Sequence, residues 1–419
     1  MTDRKIYFDN AATSFPKPEG VTAAMCEYME NVGCNINRGS YAGAYTAAGT
    51  VFDARSRLKA LFGAEDEKNI IFTPSDTYSL NMLIKGIVRQ NDHIAVSSME
   101  HNAVMRPVEA LAAEGKITYD VIACDPDGSM DAAKILEKLE EILNEAAREG
   151  RRFRAVALIH GSNICGSVLP IEAAGRFCRE HDMFLIVDCA QTAGYLDIDM
   201  KRMNIDGLSF SGHKGLLGPQ GTGGFAVSDR MAAELETVIE GGTGSFSHLL
   251  TMPEELPDRF EAGTMNIPGI YGLYAGLKFL EETGIDVIRR HEQAVTERFL
   301  EKVRDIPGVR IAGYKKSNLS GSTVPQELNS SLSGTAGSAH VSLPVVSLWC
   351  DNIDPAELAY RLESEYGIWT RVGLHCAPMA HKTLGTFPKG TVRFSFGYYN
   401  TLEEAEYGAE AIRSICERG

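Results

Sequence analysis

The chain has 419 residues, 44% of them hydrophobic and 23% charged, a balance typical of a soluble globular protein and a length that calls for one large domain and one smaller one. Its 41 basic and 56 acidic side chains leave a net charge of −15, and no basic run exceeds Arg151-Arg152 or Lys315-Lys316, which argues against nucleic acid or anionic lipid as partners. No apolar run approaches the ~20 residues of a membrane span, and the start MTDRKIYFDNAAT lacks a secretory apolar core, so a cytoplasmic protein is expected.

Between residues 50 and 230 short apolar runs alternate with longer amphipathic stretches. NIIF (69–72), HIAVSS (93–98), RAVALIH (154–160), FLIVD (184–188) and GLSFS (207–211) read as strands, and the stretch 132–150 reads as a helix between two of them. This βαβ alternation predicts an α/β fold with a largely parallel sheet covered by helices on both faces. Such sheets bind ligands outside the carboxyl ends of their strands, so useful side chains should follow the strands directly. Ser75, Asp76 and Thr77 follow the first run and lead into a helix; Glu100 and His101 follow the second, and Ser162 and Asn163 the third. Asp188 ends the fourth with Gln191 just beyond it, and Ser211 ends the fifth, before His213 and Lys214.

From about residue 285 the pattern changes. A long helix over 285–303, the run PVVSLWC (344–350), a helix from Pro355 to about Tyr366 and the run TVRFSF (391–396) predict a compact α+β domain. The Ser- and Gly-rich stretch 317–339 reads as a mobile surface insertion, with a functional lid as the alternative. The expected division is an N-terminal segment 1–20 packing on the small domain, a large domain 21–284 and a small domain 285–419. Nine cysteines without a CxxC pair argue against both a disulfide framework and a zinc ribbon. Cys26, Cys178 and Cys350 sit among apolar residues and are expected to be buried.

The segment SGHKGLLGPQGTGG (211–224) crowds Lys214 with small residues, a hydroxyl and an imidazole. A lysine forms imines once its surroundings lower its pKa, and small neighbours with polar donors suit an adjoining phosphate. The spacing alone fits a surface turn equally well. Asp188 favours the first reading, because a carboxylate at the end of an apolar strand needs a partner, and a protonated pyridine nitrogen of pyridoxal phosphate (PLP) would be one. A structural salt bridge is the alternative. His101 could lie flat on such a ring or be purely structural, and the helix start at Thr77 could hold a phosphate or be an ordinary capped end.

DNAAT (9–13), EHNAV (100–104), DCAQTAG (188–194), SGHK (211–214), FEAGTMN (260–266) and RVGLHCAP (371–378) resemble, in order, the landmark motifs of class V aminotransferase-fold enzymes. Within that fold they are most similar to the cysteine desulfurase and selenocysteine lyase family, group II. The resemblance implies a PLP-dependent homodimer of fold type I with a mainly parallel seven-stranded sheet and active sites at the subunit interface. It implies that Lys214 carries the cofactor, Asp188 faces the pyridine nitrogen, His101 stacks on the ring and Gln191 bonds the phenolic oxygen. Thr77, Asp76, Ser211 and His213 would hold the phosphate, while Thr264 and Thr243 would reach the phosphate of the neighbouring subunit. Arg393, Arg371 and Asn163 would bind the substrate, together with Asn37, which stands where many group II enzymes carry a histidine. Cys376 would take sulfur from L-cysteine as a persulfide, releasing alanine, and pass it to an acceptor protein. In partly exposed, electropositive surroundings between His375 and Ala377, its thiolate would be favoured. The alternatives are a selenocysteine lyase, another lyase or aminotransferase of the same fold, and a sulfur-relay scaffold without turnover.

Overall fold

A computed structural model describes residues 5–36, 39–314 and 342–418. Asn37 and the 317–339 stretch lie outside the described residues.

The chain opens with strand β1 (Ile6–Tyr7), then helices α1 (Glu19–Glu27) and α2 (Ala42–Phe62). The α/β core follows: β2 (Ile70–Thr73), α3 (Asp76–Ile87), β3 (Asp92–Ser97), α4 (Asn102–Ala113), β4 (Ile117–Ile122), α5 (Ala132–Arg148), β5 (Arg152–Ile159), α6 (Ile171–Glu180), β6 (Phe184–Asp188), β7 (Gly207–Ser211), β8 (Gly223–Val227) and α7 (Asp229–Glu234). These strands form one seven-stranded sheet in the order β2-β8-β7-β6-β5-β3-β4, parallel throughout except for β8, which runs antiparallel to both neighbours. The five strands read from sequence lie in it. β4 and β8 were not legible: β4 is an edge strand with a half-exposed polar middle, and β8 begins with two glycines inside a Gly-rich run.

The central strands are buried along their whole length, as a sheet covered on both faces requires. One face packs on α2, α5, α6 and α8 (Ile267–Thr283), through Leu58, Ile135, Phe177 and Leu277 among others. The opposite face packs on α3, α4 and α7, through Leu83, Val108 and Met231. The amphipathic period that betrays α5 in the sequence buries Ile135, Leu139, Ile142 and Ala146, and Asp131 caps its start by accepting from Lys134 N at 2.8 Å.

After α9 (Ile285–Val303) come β9 (Val309–Ile311), β10 (Val345–Cys350), α10 (Pro355–Tyr366), β11 (Ile368–Trp369), β12 (Arg371–Gly373), α11 (Pro378–Thr383), β13 (Thr391–Ser395) and α12 (Leu402–Arg418). An antiparallel sheet in the order β12-β13-β10-β9 packs on these helices around a third core, in which Phe8, Phe299, Phe394 and Phe396 meet ring against ring. The start of the chain joins this unit, since β1 pairs in parallel with β11 and Asp9 bridges to Ser395. Among the described residues no helix is long and apolar enough to cross a membrane. Cys178 and Cys350 are buried, whereas Cys26 is only half-buried.

Candidate active site

At the carboxyl ends of β3, β5, β6 and β7 one cavity is lined by Asp76, Thr77, His101, Asn163, Asp188, Gln191, Ser211, His213 and Lys214. Nine of the residues singled out from the sequence thus share one space. The turn that carries Lys214 leaves β7 at Ser211 and needs glycine on both sides. A Cβ at Gly212 would sit 2.2 Å from Thr222 Oγ1, and one at Gly215 would sit 2.4 Å from the Ala193 carbonyl. The first residues of the chain clamp the turn from outside: Ser14 N donates to His213 O at 3.0 Å, Lys17 Nζ to the same oxygen at 2.8 Å, and Ser14 Oγ to Lys214 O at 3.0 Å.

Burial is the largest influence on the Lys214 amine and pushes its pKa below the ordinary lysine value. Asp76 and Asp188 pull it back up, and Arg393 and Arg371 add to the lowering. Asp188 ends β6 almost without exposure, accepts from Ala190 N at 2.9 Å and has its pKa raised by burial. Asp76 does not precede the helix, as the sequence pattern had it, but is the first residue of α3, with Ser75 as the cap. Burial and the neighbouring Asp188 raise Asp76 to about 8, so near neutral pH it carries a proton, and its Oδ1 has no partner. Two buried carboxyls beside one amine resist ionising together.

His101 caps α4 by accepting from Ala103 N at its Nδ1 (3.1 Å), which puts the proton of the neutral ring on Nε2. Burial first, and Lys214 second, lower its pKa to about 4. His213 is likewise lowered to about 4, by burial and then by Lys214, and its buried Nδ1 is unpartnered. Gln191 spends one amide hydrogen on Ala11 O at 3.0 Å, which leaves the other free.

Arg371 and Arg393 are directly opposite each other on β12 and β13. Arg393 is 2% exposed; its Nη2 donates to Asp9 Oδ1 at 2.7 Å and its Nη1 to Asn163 O at 3.3 Å, while its Nε has no partner. The side-chain amide of Asn163 donates to His375 O at 2.9 Å. Asn102 N, next to His101, donates to Cys376 O at 2.8 Å. The Cys376 loop is therefore tied by its backbone to two residues at the cavity, and its thiol-bearing residue is exposed. His375 and Cys376 both hold left-handed backbone, with φ of 47° and 59°. His375 is buried, and burial, then Arg393, drops its pKa to about 2. It is neutral, so the electropositive surroundings expected of the thiol receive no charge from this ring.

Thr243 and Thr264 do not line the Lys214 cavity. Thr243 bonds Ser245 Oγ at 3.0 Å, and Thr264 is exposed at the mouth of a separate cavity of about 320 Å³. Both were expected to act on a neighbouring subunit, and within one chain they stand apart from Lys214. The sequence pattern missed Asp9 as the partner of Arg393, although an aspartate in DNAAT and a buried arginine are an obvious charge pair. It also missed Ser14 and Lys17, whose bonds to backbone carbonyls leave no sequence signal. Glu100, noted at a strand end without a role, ties β3 to β5 by accepting from Ser97 Oγ and from Ile159 N at 2.8 Å.

A parallel sheet with a buried lysine after one strand and an aspartate at the end of the next defines a class, and comparison with known proteins agrees. The chain belongs to the class-V aminotransferase family, whose model matches residues 6–332 and 326–407. Among its curated relatives, a probable cysteine desulfurase of Pyrococcus abyssi is 33% identical over 97% of this chain and 93% of the relative. One from Methanothermobacter thermautotrophicus is 30% identical over 99% and 95%. Of the solved structures, the apo cysteine desulfurase of Thermococcus onnurineus superposes with a TM-score of 0.84 at 28% identity, covering 99% of this chain and 95% of that one. The cysteine desulfurase CsdA of Escherichia coli, solved as an S-sulfonic acid, gives 0.81 at 25%, covering 100% and 96%.

Proposed function

We propose that this protein is a PLP-dependent cysteine desulfurase that converts L-cysteine to alanine and takes the sulfur onto Cys376 as a persulfide. The observation that carries the reading is the cavity where the buried Lys214 amine meets Asp188, while the backbone of the Cys376 loop hangs from Asn163 and Asn102 beside it.

The donor set suits PLP. The unpartnered Nδ1 of His213 and the hydroxyls of Ser211 and Thr77 share the cavity and suit a phosphate, and Asp188 suits a protonated pyridine nitrogen. Asp76, protonated near neutral pH, sets no second negative charge against that phosphate. When bound, PLP supplies an aldehyde for a primary amine and a ring that stores electrons released from substrate bonds.

Lys214, unprotonated because burial lowers its pKa, serves first as the nucleophile and then, once the substrate amine has displaced it, takes the Cα proton at Nζ. Asp188 holds the proton on the nitrogen it faces. The neutral ring of His101 lies flat against the bound heterocycle. Arg393, through its free Nε, and Arg371 opposite it hold the substrate carboxylate. The Cys376 thiolate attacks the substrate sulfur: an S–S bond forms, the carbon–sulfur bond breaks, and its electron pair stays with the carbon skeleton, which leaves as alanine after protonation.

The same reading makes the protein a cytoplasmic homodimer that hands its sulfur to an acceptor protein, with 21–284 and 285–419 as its two domains and 1–20 packed on the smaller. Incubation with L-cysteine and a reductant should give alanine and sulfide in equal amounts. Lys214→Ala should remove the visible absorption of the purified protein, and Cys376→Ser should abolish sulfide release. Full-rate sulfide release by Cys376→Ser would overturn the assignment, and selenocysteine turnover that survives Cys376→Ala would move it to a selenocysteine lyase.

A further inference from the structure

The third core contains a thiol pair that the reaction does not use. Cys350 is the last residue of β10, and Cys416 lies in the final turn of α12. Their sulfurs are 2.9 Å apart across a sequence separation of 66 residues. That is about 1 Å more than the ~2.05 Å of a covalent S–S bond. Both side chains already point at each other, so closing the bond calls for a small rotation and no backbone movement.

The two sulfurs differ in chemistry. Cys416 is half-buried, and the hydrogen bond from Cys350, followed by the Arg361 guanidinium, lowers its pKa. Cys350 is 6% exposed, and its bond to Cys416 together with burial raises its pKa. One proton is thus shared between a solvent-reachable thiolate and a sheltered thiol. That division suits an attacking and a resolving cysteine.

We propose that Cys350 and Cys416 form a reversible disulfide that locks α12 onto β10 when the protein meets a small-molecule disulfide. The Cys416 thiolate attacks one sulfur of the oxidant, forming a mixed disulfide and expelling one thiolate. Cys350 then gives its proton to solvent and attacks Cys416 Sγ, expelling the second. Two protein thiols are oxidised and one small disulfide is reduced to two thiols. The lock falls on the sheet that carries the active-site arginines, because β10 pairs with β13 and Ser347 lies opposite Arg393. It stands independently of the function proposed above.

The test is incubation of the full chain with glutathione disulfide, alkylation of the remaining thiols, and digestion without reductant. Mass spectrometry should find the Cys350 peptide joined to the Cys416 peptide, two hydrogens lighter than their sum and released by dithiothreitol. The melting temperature should rise by about 5 °C on oxidation. Cys350→Ser should stop at a glutathione adduct on Cys416, and Cys416→Ser should neither cross-link nor gain stability. Glutathione on the exposed Cys376 shows that the reagent has acted. If Cys376 is modified while Cys350 and Cys416 are both alkylated, or while Cys416 retains glutathione in the wild-type chain, the proposal is wrong.

Discussion

Replacing Asn163 by alanine tests how the thiol is held. His375 and Cys376 occupy left-handed backbone at φ 47° and 59°, which costs non-glycine residues about 1–2 kcal/mol each, so the loop stores about 2–4 kcal/mol. Three hydrogen bonds oppose that strain: Asn163 Nδ2 to His375 O at 2.9 Å, Asn102 N to Cys376 O at 2.8 Å and Ala377 N to Leu374 O at 2.8 Å. Loss of the Asn163 donor strands a carbonyl in a buried residue, at a cost of about 1–3 kcal/mol. Each ~1.4 kcal/mol is a factor of ten, so sulfur should reach Cys376 about ten times more slowly, or slower still. The assay is a single turnover with L-cysteine, reading persulfide at residue 376 by mass spectrometry while the visible spectrum monitors the cofactor. Asn163→Asp keeps the size but lacks the donor and should lose at least as much. The reasoning fails if Asn163→Ala charges Cys376 at the wild-type rate. It also fails if the whole loss lies in KM, which would assign the amide to the substrate rather than to the loop.

Three other outcomes follow from the same geometry. Burial raises Glu292 to about 8, so between pH 4.5 and 8 the folded chain holds a proton that the unfolded chain has released, and stability falls as pH rises through that window. Glu292→Gln should flatten the fall by about 1.4 kcal/mol per pH unit; equal slopes in urea titrations at pH 5 and 7.5 would count against a buried neutral carboxyl. A Cβ at Gly175 would lie 1.9 Å from the Met203 carbonyl oxygen, so Gly175→Ala should cost about 1–3 kcal/mol or more, and an unchanged denaturation midpoint would contradict that contact. Arg393→Lys cannot serve Asp9, Asn163 and a substrate carboxylate together, and KM for L-cysteine should rise about tenfold; an unchanged KM would place the carboxylate elsewhere.

Much of the sheet was legible because strands buried on both faces are continuous apolar runs, and the strand-end rule then pointed to Lys214, Asp188 and His101 without a contact being known. What escaped was what depends on distance. The edge strand β4 and the Gly-initiated β8 carry no such run. That Asn163 holds the Cys376 loop is a bond between a side chain and a backbone carbonyl 212 residues away, and carbonyls have no sequence identity. The charge state of His375 was hidden for a related reason: a histidine beside arginines looks cationic until burial proves the stronger influence.

The first strand has a further consequence for biosynthesis. Ile6 pairs with Ile368, and Asp9 meets residues 393 and 395, so the opening residues emerge long before anything exists for them to pair with. At ~5–20 residues per second the ribosome needs about 20–70 s to deliver β11. During that interval the Lys214 turn can be built on its own sheet, but Ser14 and Lys17, which clamp it, are carried on a tether not yet anchored at its far end. Completion of the catalytic pocket is therefore timed by the last fifty residues to be translated, and a nascent chain stalled before β11 would carry the reactive lysine in a half-secured turn.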